Sequence, residues 1–402
     1  MRHLHLDFET FSSTELKETG AYRYAFSPDC EILCAAMAFD QEEPVVWHPR
    51  MSDKEISTLD PYWDALEDPE VLVYAHNSMF EIAISQALMQ KTWGIPFPDF
   101  SRWRCTMSMA RRAALPASLD QLSEVLNLTH QKDKRGKKLI GMFSVMQKPD
   151  KPTKKNPVIP PERQVPYRIY PQDRPAEFAE FMAYCAQDVR AEQEVARKLA
   201  YFDEPINNAN FTLDQVINAR GVPVNLEALR HAQKIIEEET EIVSKQFREL
   251  VGFEVTQRDE ILRWLAYRGH TFSDLKKDTI EEFLETHKDG LDPAVQALRM
   301  KQATSFAAVK KVQTMLDCAG PHDNRIRGMG QHHGATTGRW TDAIVQFQNM
   351  KRSTLKYSNG DNASEDAYKD ICAGASREML ELFYGPPLDV ISSCIRHFVQ
   401  DA

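Results

Sequence analysis

Apolar and polar positions alternate from the start of the chain: Leu4, Leu6 and Phe8 fall on one side of a period-two pattern, His3, His5, Asp7 and Glu9 on the other. This predicts a strand with two carboxylates where it runs out. Apolar runs at residues 31–39 and 44–47, joined by the polar link Gln41-Glu42-Glu43, predict neighbouring strands in a meander. Another short strand is expected at 70–75, and Met79, Ile82, Ala83 and Leu88 then take helical spacing over 78–89. Strands followed by strand–helix alternation indicate an α/β domain, a mixed sheet flanked by helices.

A long helical pattern over 176–199 carries Tyr184 and Asp188, and Asp203-Glu204-Pro205 breaks it. A domain boundary is expected there. Residues 207–316 read as almost entirely helical, with an amphipathic segment at 226–250. Gly320-Pro321 closes that region, a short strand is expected around Ile326, and the polar stretch 356–366 reads as an exposed loop. The expected division is 1–204, 205–320 and 321–402.

With 402 residues and 42% apolar side chains, the chain can bury cores without staples. Its seven Cys residues include no Cys-x-x-Cys pair and are odd in number, which argues against a disulfide framework or a zinc knuckle and fits a reducing compartment. No run approaches the roughly eighteen apolar residues of a membrane span, so no membrane is expected and the chain reads as cytoplasmic, in a bacterial or phage-infected cell. A net charge of −10 makes wholesale coating of nucleic acid unfavourable, and local charge then matters more. Residues 130–157 are rich in Lys and Arg, and a second basic set lies at 325–356. A solvated loop or face explains such runs equally well.

The candidate chemistry lies in carboxylates. Asp7 and Glu9 point to one face of a strand end, Glu81 follows a strand-to-helix turn, and Asp188 lies one helical turn after Tyr184. An Asp-x-Glu pair alone is ordinary surface decoration. Four acids from three segments meeting at one sheet edge would be different, because hard cations such as Mg²⁺ and Mn²⁺ take oxygen ligands. Two such ions about 3.5–4 Å apart can activate water for phosphodiester hydrolysis. A phenol with a pKa of about 10 orients such a water without acting as its base. His3 and His5 share the face of Asp7 but suit softer metals, and read as histidines satisfied against the sheet.

Asp7-Phe8-Glu9-Thr10, Asn77-x-x-Phe80-Glu81 and Tyr184-x-x-x-Asp188 resemble the three ordered motifs of the DEDDy branch of DnaQ-like proofreading nucleases. The resemblance implies an RNase H-like 3′–5′ exonuclease domain over 1–204. In it Asp7, Glu9, Glu81 and Asp188 hold two Mg²⁺ or Mn²⁺ ions, Tyr184 assists attack on the 3′-terminal phosphodiester, and Asn77 and Phe80 pack around the strand end. Glu81 departs from the family, which more often has Asp.

Gly334-Ala335-Thr336-Thr337-Gly338-Arg339-Trp340 with Gln346-Phe347-Gln348-Asn349 is similar to the signature preceding the palm of family A DNA polymerases, in its bacteriophage form. That resemblance implies DNA contacts by Arg339, Gln348 and Asn349, a helical thumb at 205–320 with Lys310 and Lys311 on phosphates, and the start of a palm at 321–402. The nucleotidyl-transfer motifs are expected beyond Ala402, so the chain is not expected to synthesise DNA by itself. A palm cut there would expose an apolar edge at 390–399, for which a second polypeptide carrying the remaining palm and fingers is the expected cover. Two other readings remain open: a non-catalytic DNA-binding and assembly subunit, and an RNase D-like RNA exonuclease.

Overall fold

In the computed structural model, which describes residues 2–131, 135–153, 157–288, 290–304 and 307–400, the alternating N-terminal segment forms strand β1 (His3–Phe11). It is the middle strand of a five-stranded sheet of order β3-β2-β1-β4-β5, completed by β2 (Glu31–Phe39), β3 (Val45–Trp47), β4 (Leu72–Ala75) and β5 (Trp103–Cys105). β1, β2 and β3 form the antiparallel meander read from the sequence, whereas β4 and β5 join β1 in parallel. β5, only three residues long, gave no alternation to detect.

The register of β1 on β2 slips between Glu9 and Thr10: Glu9 faces Cys34, but Thr10 faces Ile32. The extra residue, Leu33, is a β-bulge in β2, opposite the end of the strand that bears the acids.

The helices of this part of the chain include α1 (Met79–Ile84, continued by a wider turn at Ser85–Met89), α2 (Thr106–Arg112), α3 (Gly136–Phe143), α4 (Pro175–Lys198) and α5 (Pro205–Arg220). α4 lies across β1 and β2. The side of β2 beneath it carries Cys34, Ala36 and Ala38, and α4 meets them with Cys185, Ala186 and Val189. Small side chains on both surfaces bring the helix backbone close to the sheet. The other sheet face buries Leu4, Leu6, Phe8, Met37 and Trp103 in the largest apolar cluster.

The chain divides into two compact units, 1–221 with 326–346, and 222–325 with 347–402. These limits differ from the expected boundaries after 204 and 320. α5 belongs to the first unit because its buried polar face binds the 326–346 segment: Asn218 accepts from Gly330 N (2.8 Å) and donates to Gly330 O (3.0 Å). Trp340 Nε1 donates to Asp214 Oδ1 at 2.7 Å.

The second unit is helical, as expected for the part that falls within 207–316 but not for 347–402, which the sequence reading gave to a palm. α6 (Leu226–Val251) starts at an Asn225 cap whose side chain accepts from Ala228 N, and stops at Gly252, whose φ of +88° suits a residue without Cβ. Around it lie α7 (Arg258–Tyr267), α8 (Lys277–Thr286), α9 (Pro293–Ala303), α10 (Ala307–Cys318), α11 (Ser364–Cys372), α12 (Arg377–Tyr384) and α13 (Pro387–Cys394). The apolar run at 390–399, expected as an exposed palm edge, is a correction to the sequence reading. Val390, Ile391, Ile395 and Phe398 are fully buried, and the run folds as α13 and its continuation against α6 and α11. Its helical period gave it an internal partner, so the covering polypeptide inferred from that edge loses its basis.

The α4–sheet seam makes a specific prediction. Ala36→Leu adds three carbons where no space exists, and should lower the stability of the first unit by about 1–3 kcal/mol in urea unfolding. Unchanged stability would mean that the seam is loosely packed.

Candidate functional site

The five residues of the expected nuclease site come from three elements that meet at the C-terminal end of β1. Asp7 and Glu9 lie on β1, Asp7 half-buried and Glu9 buried. Glu81 lies in the first turn of α1, and Tyr184 and Asp188 project from α4. β1 and β4 run parallel, so the chain leaving β4 through Asn77 enters α1 on the side where β1 ends. Asn77 makes that turn with a φ of +66°, in the left-handed region that Asn tolerates better than most residues, and Phe80 N donates to its carbonyl at 3.0 Å. Phe80 contacts the Tyr24 ring at 5.9 Å, and Tyr24 bonds Thr10. Phe80 therefore has a packing role at the bulge.

The electrostatics bear on the acids as a group. Glu81 is 3% exposed, its Oε2 has no hydrogen-bond partner, and its carboxyl is pushed well above the usual range, first by burial and next by the charge of Asp7. Tyr184 donates to Asp188, and burial together with Asp188, Glu9 and Asp7 raises its phenol far above its ordinary value. The ring therefore stays protonated. Asp7 acts on both Glu81 and Tyr184, so the three segments share one field.

The Tyr184 ring is fixed on both sides. Phe181 lies parallel to it at 6.4 Å, and a Cβ on Gly136 would meet the ring at 2.2 Å. Gly136 opens α3 and is followed by Lys137 and Lys138, both exposed. Part of the basic run thus stands next to the tyrosine, while Lys132, Lys134, Lys154 and Lys155 lie outside the described residues.

Four all-oxygen donors suit hard cations, and the partnerless oxygen of Glu81 is a group that a cation would satisfy. Among the described residues, however, no three His, Cys, Asp or Glu side chains are close enough to hold a metal ion. The donors are gathered but not closed into a coordination shell.

His5 is indeed satisfied within the sheet: its Nδ1 bonds Glu192, one helical turn beyond Asp188. Reasoning from sequence missed Glu192, although the four-residue spacing from Asp188 was a usable signal. It also missed Cys185, inside the Tyr184–Asp188 motif, whose thiol lies 3.3 Å from Asp7 Oδ2.

The 326–346 segment forms a second feature of the same unit. His332 is buried, shares a hydrogen bond with Ser108 and lies 4.9 Å from the Trp340 ring. Burial, then His333, Arg112 and Arg111, push its pKa down to about 4, so the ring is neutral at physiological pH. Arg111 also bonds Gln331 (3.5 Å). Gly338 rests on the His333 ring, and Arg339 beside it is exposed. Gln348 and Asn349, also exposed, belong to the second unit, so the Thr-Gly-Arg and Gln-Asn parts of that motif lie in different units. Lys310 is exposed and Lys311 half-buried on α10. The charge of Lys310 reaches Lys301 on α9, a neighbour that the sequence did not suggest.

No protein-family model matches the chain. It is 34% identical, over 98% of its length, to a DNA polymerase of Bacillus phage SP02. The chain spans 57% of that relative's own length. Among solved structures, the POL domain of Pol1 from M. smegmatis, in complex with DNA primer-template and dNTP, is similar with a TM-score of 0.50 and 12% identity. That match covers 89% of this chain and 53% of the other, and concerns the fold. No helix among the described residues is long and apolar enough to cross a membrane.

A raised carboxyl pKa means the folded chain binds the Glu81 proton more tightly than the unfolded one, where the pKa is about 4.3; stability is then greatest at low pH and falls as pH rises above that value. Without metal, Glu81→Gln should melt about 2 °C or more above wild type near pH 7 and converge with it near pH 4. A gap that is absent or reversed at neutral pH would contradict the buried-acid assignment. Gly136→Ala should displace the Tyr184 ring, seen as a change in its NMR ring signals with the helical circular dichroism retained.

Proposed function

We propose that the first unit is a metal-dependent 3′–5′ DNA exonuclease, the proofreading part of a family A replicative polymerase with an RNase H-like sheet. The observation that carries this reading is the convergence of Asp7, Glu9, Glu81 and Asp188 with Tyr184 at one sheet end, with a buried Glu81 oxygen left without a partner. Two Mg²⁺ or Mn²⁺ ions held by the four acids would supply an activated water and a counter-charge for the leaving oxygen. The chain's own part is to gather four carboxylates and keep a protonated Tyr184, bonded to Asp188, beside the 3′-terminal phosphodiester. Homology to a phage DNA polymerase makes DNA the natural substrate. Arg339, Gln348, Asn349, Lys310 and Lys311 are then the proposed contacts to primer-template DNA.

Asp7→Ala and Asp188→Ala should each slow Mg²⁺-dependent release of nucleotides from the 3′ end of single-stranded DNA by about 10²-fold or more, and a chelator should abolish it in wild type. Hydrolysis that is equal in wild type and Asp7→Ala would leave a DNA-binding subunit as the reading, and a preference for RNA ends would favour the RNase D-like alternative. For DNA binding, Arg339→Ala and Lys310→Ala should each reduce the slope of log affinity against log salt by about 0.9 on primed duplex. An unchanged slope would remove that residue from the phosphate contacts.

A further inference from the structure

We propose that Cys185 is a positioning residue for Asp7: its thiol, steadied by Cys34, donates a hydrogen bond to the Asp7 carboxylate and restricts it to one rotamer. This rests on the nuclease reading for its catalytic consequence, but not for the bond itself.

Cys185 is fully buried on α4, between Tyr184 and Asp188 in sequence. Its Sγ lies 3.3 Å from Asp7 Oδ2 and 3.5 Å from the Asp7 main-chain oxygen. An ionised carboxylate only accepts, so the thiol is the donor. The same thiol shares a hydrogen bond with Cys34, which sits opposite Glu9 in the β1–β2 register and is likewise fully buried. Two thiols in series therefore run beneath the strand that carries both acids. Cys34, Ala36 and Ala38 make the seam tight enough for the sulfur to reach. A cysteine serving only as apolar filler would need no particular direction for its Sγ. Here it points at a carboxylate that acts on both Glu81 and Tyr184. By holding Asp7, the thiol spares the site the work of ordering that side chain when cations and DNA arrive.

Filler and donor roles make opposite forecasts for two substitutions. Cys185→Ala keeps an apolar surface and removes the donor, whereas Cys185→Ser keeps a donor and is worse filler. The positioning role predicts that Cys185→Ala slows Mg²⁺-dependent hydrolysis of single-stranded DNA about 5–10-fold and raises the Mg²⁺ concentration needed for half the maximal rate, while Cys185→Ser stays within about 3-fold of wild type. Alanine equal to wild type, or serine slower than alanine, overturns it. A metal-free readout is the infrared S–H stretch of Cys185, identified by its loss in Cys185→Ser: it should move to higher frequency in Asp7→Ala. A band indifferent to Asp7→Ala overturns the hydrogen bond. If wild type has no Asp7-dependent hydrolysis the nuclease reading falls instead, and the infrared shift alone upholds or overturns the bond between Cys185 and Asp7.

Discussion

The close approach of α4 to β1 and β2 is the constraint on which the rest of the first unit depends. Asp7 and Glu9 are fixed by a strand, Tyr184 and Asp188 by a helix, and they can share one field only if helix and sheet backbones lie near each other. Cys34, Ala36 and Ala38 on β2 and Cys185, Ala186 and Val189 on α4 meet that requirement. Larger residues there would fill the same face with more apolar area but lift Asp188 away from Asp7. The seam thus forgoes some hydrophobic burial, worth about 25 cal/mol per Å², in favour of distance control.

Gathering acids in this way opposes stability. Glu81 is buried beside Asp7 without a partner for one oxygen, and its raised pKa is the direct expression of that conflict. The surroundings offset part of it. Tyr184 gives Asp188 a donor, and Glu192, the next acid along α4, is matched with His5. Local disagreement with good packing, compensated nearby, is the pattern expected where a protein keeps a function.

Legibility in the sequence tracked the range of the physical signal. The alternation of β1 and the 3.6-residue period of α4 and α6 are local, and the observed bounds Pro175–Lys198 and Leu226–Val251 agree with the expected 176–199 and 226–250. The five residues of the proposed site could be picked out because each lies at a fixed offset within its own element. Cys185, Gly136 and Arg111 were not, since their roles depend on contacts with Asp7, Tyr184 and Gln331 far away in the chain. The run at 390–399 misled for the same reason: an apolar stretch reports that something covers it, but not whether the cover is the same chain.

The 326–346 segment extends this point to domain organisation. By sequence it comes after the helical region and reads as the opening of a third domain, yet its fixed points are Asp214 and Asn218 of α5 and Ser108 of α2. Asn218 both donates to and accepts from Gly330, and Asp214 is buried with Trp340 as a donor, so the segment adds partners that α5, which pairs Asp214 with Gln215 and Asn218, does not itself supply. α5 cannot be a free linker helix under those conditions. A buried polar face is meaningful only with its partner present, and here that partner is more than a hundred residues away. The unit carrying the acids is therefore completed by a segment that holds Gly334 to Trp340, while Gln348 and Asn349 of the same motif belong to the second unit.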